Sequence, residues 1–464
     1  MRIDPKLKPS DLTKPLQRLF DLAGRKVRDI DRTWDVSRGT PVFTVEGKYT
    51  TRGWTEWTQG FVYGCAILTF DVTGDRALLK LGRDRTRRHM PPHITHVGVH
   101  DHGFNNLSTF GNLRRLMREG KFPHNEWENE YYELALKSSG AVQAARWQGI
   151  RVEKPSPLSA NATQLGYIYS FNGPHSLFVD TMRTIRILGV AWQLGHRLMH
   201  ENDRAADLLK RAVLHGLATN QYIIFHGQSQ HTYDVRGRTA HEAIFNRNDG
   251  LFRCRSTQQG YSPFSTWTRG LAWAMLGYAE QLEFFATIPE GKFKQSVGLP
   301  RRDVMRVFTQ AAVETSEHYI EDCSALDGIT YWDDGAPGLA QLQGWRDRPA
   351  DPFNDYEPVD ASASAIAAQA LLRLGRHLNK PRYTQAGLSI ARTLLSDTYL
   401  ATSPKHQGLL LHSIYHRPNG WDHVPKGRKI PCGESSMWGD YHLLELGVLL
   451  HRLSSGGRYL TFFD

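Results

Sequence analysis

Apolar positions in this chain recur at helical intervals and hardly ever at alternate residues. The stretch Asp180–His200 sets Met182, Ile185, Leu188, Ala191 and Trp192 on one side, behind an Asp suited to cap a helix. Thr266–Phe284, Asp360–Leu378 and Glu434–Leu453 follow the same scheme. Each starts polar or acidic, carries small residues or Trp in its first turns, then becomes aliphatic. Amphipathic helices are predicted between them at Asp203–Ala218 and Asp303–Tyr319. Strand signals are confined to the short runs Thr40–Val45 and Tyr167–Phe171, with no βαβ rhythm.

The four starts, Asp180, Thr266, Asp360 and Glu434, are 86, 94 and 74 residues apart, room for two helices and long loops per step. Stacked helical hairpins form either an open solenoid or a closed ring. A solenoid would want the helix starts apolar. Polar starts favour a ring whose inner helices point their N-termini into a common pit. The expectation is an all-α chain folded as one domain over residues 1–464. No linker rich in Pro, Gly or Ser divides it. Residues 1–50, charged and interrupted by Pro5, Pro9 and Pro15, are expected as a less regular N-terminal extension.

Composition narrows the classes. With 464 residues, 40% hydrophobic, and 12 Trp, 18 Tyr and 20 Phe, this is a folding chain. Four widely separated Cys exclude a disulfide scaffold and form no CxxC or finger pattern. No signal-peptide core is found, and no apolar run approaches the roughly 18 residues of a membrane helix. A cytoplasmic protein without a membrane partner is therefore expected. The formal charge of +10 suggests either nucleic acid or an acidic small substrate. The basic runs Arg83–Arg88, Arg301-Arg302 and Lys426–Lys429 are short and scattered, outside any finger, RNP or helix-turn-helix pattern, so nucleic acid is set aside. No phosphate loop, dinucleotide fingerprint or GxSxG elbow appears, and no cofactor is expected.

Candidate chemistry is densest at His93–Phe104, HITHVGVHDHGF. Its histidines invite a metal reading, but no HExxH motif or clearly placed distant carboxylate completes a site, and no metal is expected. Asp101 suits acid–base work or hydrogen bonding to a polyol, or it is simply a helix cap. Asp180 has the same two readings. As a pair in unlike environments, two carboxyls split their pKa values, and one can hold a proton. In Gln259–Met275, Arg269 and Trp273 share a helix face and Trp267 stands at the helix start. They form either a platform for a uronate ring or two core indoles with a solvated Arg.

Taken in order, these segments resemble the unsaturated glucuronyl hydrolases of glycoside hydrolase family 88, roughly from Trp54 to the C-terminus. The matching runs are Trp57-Thr58-Gln59-Gly60-Phe61, His100-Asp101-His102-Gly103-Phe104, Asp180-Thr181-Met182, Trp267-Thr268-Arg269-Gly270-Leu271-Ala272-Trp273, Asp360–Ile366 and Trp438-Gly439-Asp440-Tyr441. The resemblance implies an (α/α)6 barrel and a substrate whose non-reducing end is a 4,5-unsaturated uronic acid, an anionic oligosaccharide left by a polysaccharide lyase. It implies hydration of the C4=C5 enol ether, not attack at the anomeric carbon. Asp180 would be the general acid and then the base for water; Asp101 would assist and raise the pKa of Asp180. His100, Phe171, His231, Gln259, Trp267, Arg269 and Trp273 would line the subsite, with Phe171 standing for a family Trp and His231 a looser match. The family Trp at position 62 is Val62 here, which removes one expected stacking surface. Related rhamnogalacturonyl hydrolases share the fold and reaction, and other (α/α)6 enzymes, inverting glycosidases or epimerases, are the alternatives.

Overall fold

The computed structural model describes residues 1–52, 56–152 and 165–463. Trp54, where the resemblance begins, lies outside them. Twelve helices of the described residues alternate between an outer and an inner layer. The outer helices are α1 (Thr13–Thr33), α3 (Arg76–His89), α5 (Glu126–Ala145), α7 (Leu208–Tyr222), α9 (Arg301–His318) and α11 (Pro381–Leu394). The inner helices are α2 (Gln59–Thr73), α4 (102–118), α6 (181–193), α8 (Thr268–Thr287), α10 (Ala361–Leu378) and α12 (Met437–Ser454). Of these, α4 contains a π-helical turn at Leu107–Gly111, and α6 is broken at Ile185. Inner helix α12 packs on α2, and α1 covers both, so the ring closes on itself. The architecture is an (α/α)6 barrel.

The layers follow from the sequence. In α1, Leu16, Leu19, Phe20, Ala23, Val27 and Ile30 make one buried face at helical spacing. In α8, α10 and α12, by contrast, almost every residue is buried, because these helices touch neighbours on all sides. Two motif glycines explain how the inner N-termini crowd together. A Cβ at Gly60 would overlap the backbone of Asn105, and one at Gly103 the carbonyl of Thr184. Residues 1–50 prove more regular than expected: they supply α1 and a hairpin, Phe43–Val45 with Lys48–Thr50. Pro15 does not interrupt α1, because it stands in the first turn, where the missing N–H has no helical acceptor.

One small sheet matters for the site. Strands β1 (Ser176–Phe178), β2 (Glu242–Phe245) and β3 (Phe252–Ser256) are antiparallel in that order. Phe178 faces Glu242, and Glu242 faces Ser256. No helix of the described residues is long and apolar enough to cross a membrane.

Candidate active site

A pit of about 180 Å³ opens where the inner helices begin. Its lining includes Trp57, His100, Asp101, Phe171, Asp180, Gln259, Trp267, Arg269 and Trp273. Those residues come from five separate segments of sequence. The ladder positions two of the segments: Val179 N–H donates to the His241 carbonyl (3.0 Å), which sets Asp180 beyond the end of β1, and β3 runs on into Gln258 and Gln259.

Asp101 and Asp180 both occupy N-cap positions, yet neither side chain caps its helix. Asp75, Asp207 and Asp360 do accept backbone N–H groups in that way. The two pit carboxylates instead converge on one nitrogen. His100 Nε2 lies 3.8 Å from Asp101 Oδ1 and 3.6 Å from Asp180 Oδ1, at ion-pair range but beyond a hydrogen bond. Among the described residues, none hydrogen-bonds Asp180 Oδ1 or either ring nitrogen of His100.

Burial disfavours the charged form of each group, and the charges around it decide the outcome. For His100, Asp101 and then Asp180 outweigh burial and raise its pKa above the ordinary histidine value. Burial raises Asp101, with Asp180 adding to the effect against His100. For Asp180 burial also works upward, but His100 and His241 outweigh it and hold its pKa below the usual carboxylate range. This corrects one expectation. Asp101 was expected to push Asp180 up; with His100 between them, the raised carboxyl is Asp101.

Aromatic rings make the walls. Phe171 is 37% exposed at the rim and stacks on His100 (centroids 6.1 Å, 22°). Trp57 stacks on Trp438 at 5.2 Å, and Phe104 contacts Trp273 at 4.8 Å. Arg269 is sandwiched between Trp267 and Trp438, 4.7 and 4.8 Å from the ring centroids. Its guanidinium donates to the carbonyls of Ile414 and Tyr415 and to Gln259 Oε1 (3.1 Å), and lies 3.5 Å from Asp360. It is neither the solvated Arg nor a free cation: much of its hydrogen-bonding fork holds the loop from Ile414 onward and orients Gln259.

Two residues fall elsewhere than expected. His231 is exposed on an outer loop, stacked on Tyr233 at 5.0 Å and away from the pit. His241 sits beside the pit instead, against Phe178 and Trp267 (4.4 and 5.0 Å), with Nδ1 accepting the Gln258 N–H at 3.1 Å. Burial pushes its pKa down to about 4, so the ring is neutral. Val62 does not face the pit. It lines a separate, largely apolar cavity of about 160 Å³ between α1, α2 and α12, so its small side chain leaves space there and removes no wall from the pit. Sequence reasoning also missed Tyr415, His416, Asn419 and Trp421, which line the pit from a loop without a motif. The histidines of the dense cluster go to different partners: His102 to Ser139 and the His96 carbonyl, His93 to Asn105.

An acidic, aromatic-walled pit at the mouths of inner helices is what this (α/α)6 barrel presents. Known proteins narrow this further. The chain is 24% identical to an unsaturated glucuronyl hydrolase of Formosa agariphila, over 84% of this chain and 78% of the relative. It is 25% identical to an unsaturated chondroitin disaccharide hydrolase of Streptococcus pyogenes, over 95% and 91%. The crystal structure of unsaturated glucuronyl hydrolase from Bacillus sp. GL1 superimposes with a TM-score of 0.67 at 20% identity, covering 95% of this chain and 97% of that one. No family model matches. The resemblance to unsaturated glucuronyl hydrolases thus extends over most of the chain, in sequence and in fold.

Proposed function

We propose that the protein is a glycoside hydrolase that removes a 4,5-unsaturated uronic acid from the non-reducing end of lyase-generated oligosaccharides. The observation that carries this reading is the pair Asp101 and Asp180, brought to one histidine nitrogen at the floor of the pit. Protonating an enol ether carbon makes an oxocarbenium-like cation, which a nearby carboxylate stabilises. The aromatic walls suit the apolar face of a pyranose ring, and the chain's net positive charge suits an anionic sugar.

In this mechanism the uronate adds its own negative charge to the pit. That charge raises the pKa of each group beside it, and a uronate carboxylate seated nearer Asp180 than His100 draws the cluster's proton toward Asp180. Asp180 gives the proton to C4, positive charge develops at C5 and the ring oxygen, and Asp101 stabilises it. Water then adds to C5 and returns a proton to the Asp180 carboxylate. The hemiketal opens, and the aglycone leaves with its oxygen. Gln259, Trp267 and Trp273 hold the ring, while Arg269 positions Gln259. The four free thiols, Cys65, Cys254, Cys323 and Cys432, favour a reducing compartment such as the cytoplasm.

The test is a panel of lyase-generated disaccharides from chondroitin, hyaluronan, heparin, gellan, ulvan and pectin, followed by loss of enol-ether ultraviolet absorbance. Loss on at least one substrate is expected. No loss on any, with release of saturated sugars instead, would move the protein to another (α/α)6 reaction.

A further inference from the structure

Behind the loop that carries Trp267, three different ligand side chains meet. His318 ends α9, Cys323 closes the π-helical turn Tyr319–Cys323, and Asp334 follows in the next loop. Their ligating atoms all lie within 4.8 Å of one another. Asp334 Oδ2 is 3.2 Å from His318 Nε2 and 3.8 Å from Cys323 Sγ. The side chains of His318 and Asp334 are 1% and 3% exposed, and Cys323 is buried.

We propose that His318, Cys323 and Asp334 bind a zinc ion that fixes one wall of the pit. Tetrahedral zinc, with bonds of about 2.0–2.3 Å, spaces its ligand atoms by roughly 3.4–3.8 Å. The observed separations need only small side-chain adjustments to reach that geometry. Thiolate with imidazole selects zinc over magnesium or calcium, which take oxygen ligands. The surroundings fit as well. Asp322 Oδ2 lies 3.1 Å from His318 Nδ1, the carboxylate contact that turns a ligating imidazole's Nε2 toward its metal. Arg238 stands 3.6 Å from Asp334 Oδ2. Two carboxylates and a thiolate then balance one divalent ion and one guanidinium, although Asp322 lies half-exposed at the cluster's edge.

The ion would clamp the Trp267 loop to α9. Thr266 N–H donates to Asp334 Oδ1 (2.6 Å), the Asp334 N–H donates to the Thr266 carbonyl (3.0 Å), and Trp267 pairs with Asp333. Binding displaces the Cys323 thiol proton and the proton on His318 Nε2, both to solvent, so affinity rises with pH. The ion touches no substrate, and the site stands whether or not the hydrolase reading does.

The purified full chain, loaded with zinc sulfate and freed of excess by gel filtration, is expected to carry one zinc per chain by mass spectrometry. Its cobalt form should show sulfur-to-cobalt charge-transfer absorption. Cys323→Ser should remove that band and weaken zinc binding more than about tenfold, while Cys432→Ser, outside the cluster, should change neither. Circular dichroism checks that each variant is folded. Wild-type protein that is folded but holds no stoichiometric zinc would overturn the proposal, and so would a cobalt band that survives in folded Cys323→Ser. His318 would then be an imidazolium held between Asp322 and Asp334.

Discussion

Helix α6 carries two groups of buried charge within about two turns, and they are built on opposite plans. Lower in the barrel, Arg183 and Arg186 meet Glu280 and Glu445, and Arg373 joins them through Glu280 and Glu283. Arg183 pairs with Glu280, and Arg183 to Glu445 is 2.8 Å; Arg186 reaches both glutamates at 3.4–3.5 Å, and Arg373 to Glu283 is 2.7 Å. Cations and anions are matched in number, and none of them lines the pit. At the mouth of the same helix, Asp180 and Asp101 share a single histidine and face a pit. Matched ions hold helices together; unmatched ones keep a proton in play. Burial alone therefore does not separate structural from functional charge. The balance of partners does.

The largest effect comes from removing the acid at the mouth. Asp180→Asn is expected to lower kcat on an unsaturated disaccharide by about 10²–10⁴-fold, with the urea midpoint near wild type. Near-normal turnover would sink the catalytic assignment. The mirror variant is Glu445→Gln. Losing one member of the buried set leaves Arg183 and Arg186 underpaired, at a cost of about 3–5 kcal/mol of stability by urea denaturation. If both variants lose mainly stability, the distinction between the two regions fails.

The regions also titrate at opposite ends of the pH scale. Burial pushes Glu445 upward, but Arg183 and Arg186 overcome it and hold its folded pKa below the 4.5 of an ordinary glutamate. Its contribution is present above that unfolded value and is lost as pH falls below it, so acid unfolding should start under about pH 4.5. His100 runs the other way. With a folded pKa above the ordinary 6.5, it holds its charge to a higher pH than a free histidine does and loses it as pH rises further. A profile of kcat/KM against pH should therefore show an alkaline limb above about pH 6.5. In Asp101→Asn the residual activity should have that limb shifted downward, because Asp101 is the main charge raising His100. A limb that does not move would place the titrating group elsewhere.

Legibility in the sequence followed the same division. Motifs with a fixed chemical spacing placed Asp101, Asp180, Gln259, Trp267, Arg269 and Trp273 at one pit. Inner helices α6, α8, α10 and α12 were visible because their aliphatic runs are continuous. Inner helices α2 and α4 were harder to read. Their packing relies on Gly60 and Gly103, and α4 changes to π geometry at Leu107–Gly111, which blurs its period. The loop bearing Tyr415, His416 and Trp421 has no periodicity to read. It is held by Arg269 and by Asp422, which accepts the N–H groups of Tyr415 and His416. Val62 fits a family motif by position, but a motif position does not reveal which side of a helix a residue occupies.

The smallest expected effect separates two histidines ten residues apart. His231 matches by its order in the sequence; His241 is placed by strand register, beside Val179 and one residue before Glu242, the partner of Phe178. Because His241 Nδ1 accepts the Gln258 N–H, its proton resides on Nε2, which is buried without a partner among the described residues. A buried donor beside the pit is worth about one hydrogen bond, ~1–2 kcal/mol. His241→Ala is therefore expected to lower kcat/KM by about five- to thirtyfold and, because the ring is neutral at working pH, to leave the pH profile in place. His231→Ala should leave both unchanged. The reverse result would mean that the outer loop closes over the pit during turnover and that sequence order, not strand register, had identified the working histidine.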